Sequence, residues 1–193
     1  YETAALLGAN LGIDDINAIA SMSRLDDDYG LDDIEMGVTL GIAVEAGLME
    51  FGDSARAIAL IREIGQGTTL GRILGEGAAV TARTFGINRV PVIKGQAVPA
   101  HDPRVENGTG VTLCTSAMSD HTAGVVLLRQ ETPQEAIRAS KQAQIKAAII
   151  DNLGLCYISF FERDYPVGRI TEMVNAQCDL NLSDEDMQKL GAA

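Results

Sequence analysis

Two six-residue stretches of this chain carry the same pattern more than a hundred residues apart. Asp27-Asp28-Tyr29-Gly30-Leu31-Asp32 and Asp151-Asn152-Leu153-Gly154-Leu155-Cys156 both read Asp-x-x-Gly-Leu followed by Asp or Cys. A glycine just after a helix lets the backbone take a left-handed turn. The amides that follow then point outward near the start of the next helix, where they bind anions and hydrogen-bond acceptors. The leading Asp27 and Asp151 can accept from the N–H donors of a heterocycle. The closing residues differ: Asp32 is an acceptor, whereas Cys156 becomes a soft metal ligand when ionised. Either stretch alone also reads as one helix ending at its glycine and the next being capped. The match between them suggests two halves of a fold presenting the same turn to a two-fold-like ligand, one turn ending in a thiolate.

Few other side chains invite chemistry. The three cysteines, Cys114, Cys156 and Cys178, include no Cys-x-x-Cys pair, so the chain cannot by itself complete a four-ligand zinc or iron–sulfur site of the usual kind. So few, and odd in number, they do not form a secreted disulfide framework, and a reducing cytoplasm is the expected location. Cys114 and Cys178 are expected to be buried as small apolar side chains. His101 lies in a Pro-rich stretch and is expected in solvent. The acidic runs at 26–28 and 183–186 read as helix-end charges.

The elements that must position these groups are helical. The 193 residues are 46% hydrophobic but only 4% aromatic, without Trp, so the core is built from Ala, Ile, Leu, Val and Met and suits close helix packing. The net charge of −12 argues against nucleic acid as a partner. No apolar run is long enough to span a membrane. There is no signal-peptide pattern, and a chain opening on Tyr1 rather than Met reads as a truncated or processed piece. Asp14 is placed to cap a helix running to about Tyr29, with Ile16, Ile19 and Leu25 as its apolar stripe. Asp32 and Glu35 have capping-box spacing before a helix closed by Gly47. Asp53 opens a third helix through Ala57, Leu60 and Ile61 that stops near Gly65. Leu70–Leu74 and Ala78–Phe85 follow, the latter closed by Gly86. Residues 89–130, with Pro91, Pro99 and Pro103, read as an irregular connection with a short extended piece at Val90–Ile93. Thr132-Pro133-Gln134-Glu135 then starts a helix to about Ile150 with Ile137, Ile145, Ala148 and Ile149 inward. Further helices are expected over Leu155–Arg163 and Ile170–Asn175, and after Ser183. The fold class is therefore all-α, with helical units at 1–88 and 131–193 joined by the Pro- and Gly-rich segment 89–130.

An ordered set of segments resembles one family. Tyr1-Glu2-Thr3 with Leu6-Leu7-Gly8-Ala9-Asn10, the Asp27–Asp32 stretch, Arg89-Val90-Pro91-Val92-Ile93-Lys94-Gly95-Gln96, Asp120-His121-Thr122 and the Asp151–Cys156 stretch are similar to the C-terminal domains of tungsten-containing aldehyde:ferredoxin oxidoreductases. The resemblance implies that Asp27, Gly30, Leu31 and Asp32 bind one pterin of a tungsten (or molybdenum) bis-molybdopterin cofactor, and Asp151, Gly154, Leu155 and Cys156 the other. It implies that Cys156 is the last thiolate ligand of a [4Fe–4S] cluster, and that Glu2 and His121 are the acid–base groups beside the metal. Electrons from aldehyde oxidation would leave through the cluster to ferredoxin. Two features of the family are absent from this chain: the stretch carrying the other three cluster cysteines, and the N-terminal domain covering the cofactor's other face. The chain alone is therefore expected to be inactive and to hold no cofactor. The rival reading is a non-catalytic helical module for interaction or assembly.

Overall fold

A computed structural model describes residues 1–117, 123–156 and 167–193. The fold is all-α: among the described residues the only strands are two-residue pieces, Val92–Ile93 and Gln96–Ala97. They pair antiparallel around Lys94-Gly95, whose positive φ values of 53° and 85° fit a tight two-residue hairpin. The chain divides into two compact units, 1–102 and 103–193.

In the first unit, a π-helical turn Ala4–Gly8 and a 3-10 turn Ala9–Leu11 precede α1 (Ile16–Tyr29), α2 (Asp33–Glu45), α3 (Ser54–Gln66), α4 (Thr69–Gly75) and α5 (Ala78–Phe85). The central element is α2, apolar nearly all round and buried from Met36 to Leu40 and at Ile42 and Ala43. Two helical stripes explain this. Met36, Leu40 and Ala43 join one core with Leu7, Leu11, Met22, Leu60, Ile61 and Leu74. Val38 and Ile42 join a second core with Leu6, Ala78, Ala82 and Ala97. Gly37 admits the N-terminal turn: a Cβ there would lie 2.6 Å from Leu6 Cβ.

Several helix ends differ from expectation in informative ways. Asp15, not Asp14, caps α1, accepting from the Asn17 amide at 2.9 Å. Ile16 is exposed at the helix start, and Ala18, Ile19 and Met22 carry the buried face. Helix α3 runs through Gly65 to Gln66 and turns at Gly67. Gly65 is there for packing: an added Cβ would lie 2.3 Å from the Tyr29 ring. Asp32 caps α2 by accepting from Glu35 N at 2.8 Å. The Glu35 side chain does not return to close a capping box. It reaches inward, accepting from Ala78 N at 2.8 Å and Ala97 N at 2.9 Å, and so ties α5 and the hairpin to α2.

The second unit contains α6 (Asn107–Thr115), α7 (Pro133–Asn152), α8 (Val167–Cys178) and α9 (Asp184–Ala192). Helix α6 lies where the sequence reads as irregular. Its glycines serve packing, since a Cβ on Gly108 would meet Val126 at 2.7 Å, and Thr112 shares a buried hydrogen bond of 2.8 Å with Ser140 of α7. Ala136 and Ser140 take the buried face of α7, Ser140 against α6, and Ile137 is turned to solvent rather than inward. Thr132 and Glu135 form the expected capping box, and Ser183 forms another with Asp186. Ile149, Ile150, Ile170 and Met187 make the apolar core. Of the helix expected over Leu155–Arg163, the part from residue 157 lies outside the described residues.

Candidate functional site

The first Asp-x-x-Gly-Leu-Asp stretch is a helix end followed by a helix start. Helix α1 closes at Tyr29, Gly30 adopts φ 70° and ψ 37°, and Leu31 N donates to Asp26 O at 2.8 Å. This is the six-to-one bond of a left-handed helix stop. Asp32 caps α2 on the other side. The second stretch repeats the turn. Helix α7 closes at Asn152, Gly154 has φ 64°, and Leu155 N donates to Ile150 O at 3.1 Å. At both glycines no described residue lies within 4 Å of the space a Cβ would enter, so among the described residues the backbone of each turn is open to approach. Asp27, Asp32, Asp151 and Cys156 are all exposed, leaving their acceptors and the Cys156 sulfur at the surface. These features fit the cofactor-holding role that the resemblance assigns to the two turns. The turns lie in different units, and each stands on its own geometry.

Glu2 sits on the N-terminal turn. One carboxylate oxygen accepts from the Ala100 amide at 2.8 Å; the other, Oε1, is buried and accepts no hydrogen bond from the described residues. His101 Nε2 lies 3.7 Å from that oxygen, and the Tyr1 ring packs on the imidazole with centroids 5.3 Å apart. His101 is therefore largely buried beside Glu2, not in solvent as expected. Its position follows from the return of the chain past the hairpin, which no local pattern encodes. His121 lies outside the described residues.

Cys114 and Cys178 are exposed, against the expectation of burial. Both occur near a helix C-terminus whose inward positions are taken by other residues, Leu113 in α6 and Ile170 and Thr171 in α8. Among the described residues no group of three or more His, Cys, Asp or Glu side chains is placed to hold a metal ion. An iron–sulfur cluster at Cys156 would thus need its other thiolates from beyond these residues.

One acidic residue departs from the helix-end reading. Asp26, next to the first turn, is fully buried, and among the described residues neither carboxylate oxygen has a hydrogen-bond donor. Burial pushes its pKa up to about 8, helped by the neighbouring acids Asp33, Asp27 and Asp32. The repeat itself contains the signal: aligning the two stretches sets Asp26 against Ile150, a fully buried core residue.

Comparison with known proteins identifies the family. The family model described as "Aldehyde ferredoxin oxidoreductase, domains 2 & 3" matches residues 1–193. The tungsten-containing aldehyde ferredoxin oxidoreductase of Pyrococcus horikoshii is 29% identical over 223 residues, covering 99% of this chain and 36% of the relative. Proteins of the same name from Pyrococcus abyssi and Thermococcus kodakarensis are 29% and 28% identical, with the same coverage. The chain thus spans about a third of the length of the curated relatives it matches. It belongs, from its first residue to its last, to the aldehyde ferredoxin oxidoreductase family as that family's domains 2 and 3.

Proposed function

We propose that this chain is the C-terminal portion of a tungsten (or molybdenum) bis-pterin enzyme that oxidises aldehydes to carboxylic acids and passes the electrons through a [4Fe–4S] cluster to ferredoxin. The observation that carries the reading is the doubled turn, with the same backbone bond and an open glycine in each copy, in a chain that matches the family throughout. Asp27, Gly30, Leu31 and Asp32 would hold one pterin. Asp151, Gly154, Leu155 and Cys156 would hold the other, with the Cys156 thiolate on iron. Bound there, the metal–pterin group supplies the two-electron oxidation of the aldehyde carbon.

The chain's own residues manage protons. Conversion of an aldehyde and water to a carboxylic acid releases two protons and two electrons. Glu2 is oriented by the Ala100 amide, which leaves Oε1 as its proton-accepting atom. His121 is assigned the partner acid–base role. A small aldehyde substrate, ferredoxin, the remaining portion of the enzyme and a cytoplasmic location complete the proposal.

The test is metal analysis and aldehyde-dependent dye reduction on the longer protein that includes the segments this chain lacks relative to its relatives. Wild type should contain tungsten or molybdenum together with iron. Cys156→Ser should lose iron and dye reduction, because a hydroxyl is a poor iron ligand, while Cys114→Ser and Cys178→Ser should keep both. Unchanged iron and activity in Cys156→Ser would refute the ligand role and favour the interaction-module reading.

A further inference from the structure

The two turns are built alike except at one buried position. The carbonyls of Asp26 and Ile150 each accept from the amide five residues on, at 2.8 and 3.1 Å, and both side chains are 0% exposed. Ile150 lies in an apolar core, so the turn itself does not require a carboxyl there. Asp26 therefore does something that the turn does not ask of it.

Its surroundings say what. Asp33, the first residue of α2, is tied by Ser23 to α1 one helical turn before Asp26, and a side-chain hydrogen bond with it is among the causes that raise the Asp26 pKa. Asp33 Oδ2 already accepts from Ser23 Oγ at 3.0 Å and from Thr3 Oγ1. Two carboxylates both offer only acceptors, and an ionised Asp26 would be a buried charge with no donor. A proton on Asp26 resolves the conflict, because Asp26 then donates to Asp33. We propose that Asp26 and Asp33 hold one proton between them, and that this proton clasps the first Asp-x-x-Gly-Leu-Asp turn to the turn that carries Glu2. The chain of contacts runs from Asp26 at the end of α1, through Asp33 at the start of α2, to Thr3 beside Glu2. Asp26 is a positioning residue in this arrangement and touches no reacting atom.

The charges around it support a retained proton. After burial, the groups that hold Asp26 protonated are Asp33 and Asp32 from α2 and Asp27 from its own helix. The N-terminal turn contributes the neutral Thr3 hydroxyl, and Glu2 on that turn faces Ala100 and His101. Helix α3 meets α1 through Ala57, Leu60 and Ile61, which share the core with Met22, and through Gly65 under Tyr29.

The sign follows from linkage. The folded-state pKa, about 8, lies above the unfolded value near 3.9. The folded chain keeps a proton that the unfolded chain has released, so this contribution is complete at low pH. It declines as pH rises and is gone above the folded pKa.

The experiment uses the 193-residue chain without cofactor, so its outcome does not depend on the reading of the pterin site. Infrared spectroscopy of wild type at pH 6–7 should show a protonated-carboxyl band that fades as pH passes about 8 and is missing in Asp26→Asn. No such band in wild type would overturn the proposal without recourse to any variant. Between pH 5.5 and 8, the unfolding equilibrium constant of wild type should rise by up to about tenfold per pH unit relative to Asp26→Asn. Asp26→Asn retains an N–H donor for Asp33, whereas Asp26→Ile copies the other turn and removes it. Asp26→Asn should therefore be the more stable of the two. If Asp26→Ile equals or exceeds it, Asp26 is only a misplaced core residue and no clasp exists. In Asp33→Asn the band should fade at lower pH than in wild type; an unmoved midpoint would show that burial alone holds the proton.

Discussion

Replacing Glu35 by Ala should loosen the whole face of the first unit that backs the first turn. Both Glu35 oxygens accept from backbone amides, Ala78 N at 2.8 Å and Ala97 N at 2.9 Å. These amides belong to residues that are 0% and 5% exposed, so water cannot easily replace the lost acceptor. A hydrogen bond to a charged group is worth about 1.5–3 kcal/mol when its removal strands the partner. Two such bonds give about 3–6 kcal/mol, and the partial exposure of Glu35 itself places the expected loss near the lower end, about 3 kcal/mol. For a chain of this size that corresponds to roughly 6–12 °C in Tm. Glu35→Gln is the sharper control. Its amide keeps one acceptor but sets an NH2 group against the other backbone N–H, so it should lose about half as much. Urea unfolding followed by far-ultraviolet circular dichroism suits a chain without Trp, and the slope of the transition should not change. A loss below about 1 kcal/mol for Glu35→Ala, or a Glu35→Gln variant as stable as wild type, would refute the reasoning.

Two further stability predictions test packing and capping. Gly71→Ala would place a Cβ 1.9 Å from the Glu63 carbonyl oxygen, a backbone atom that cannot swing aside; the variant should lose about 3 kcal/mol or more in chemical denaturation, the upper end of overpacking costs. Thr132→Ala removes the hydroxyl that accepts from Glu135 N at 3.2 Å and should cost about 1 kcal/mol in the same assay.

Much of the helical frame was legible because its signals are local. Asp32, Asp53, Thr132 and Ser183 cap the helices they were expected to cap, and Ala78–Phe85 closes at Gly86 as read. The turns of the doubled stretch were legible for the same reason, since a glycine after a helix largely dictates its own backbone. What stayed hidden depends on partners distant in sequence. Glu35 has the right spacing for a capping box, yet two amides, 43 and 62 residues away, outcompete the local one. Helix α6 is rich in Gly and Thr, residues of low helix propensity, and is held by contacts with Val126 and Ser140. The burial of His101 against Glu2 joins residues almost a hundred positions apart. Asp26 is hidden among its exposed neighbours because a run of acids looks like a solvated helix end whichever way each member points.

Helix α2 serves two cores at once, and this bears on how ready the first turn is to receive a ligand. A segment clamped on both sides can open only if both cores come apart, so its local opening free energy approaches that of the whole unit. Asp32 stands at the head of that segment. Its carboxylate, held on the Glu35 amide, is thus fixed before anything binds, and a ligand arriving there would pay little ordering entropy. Rigidity of this kind also narrows tolerance, because a ligand whose donors are displaced by an ångström finds a mount that does not bend to meet it.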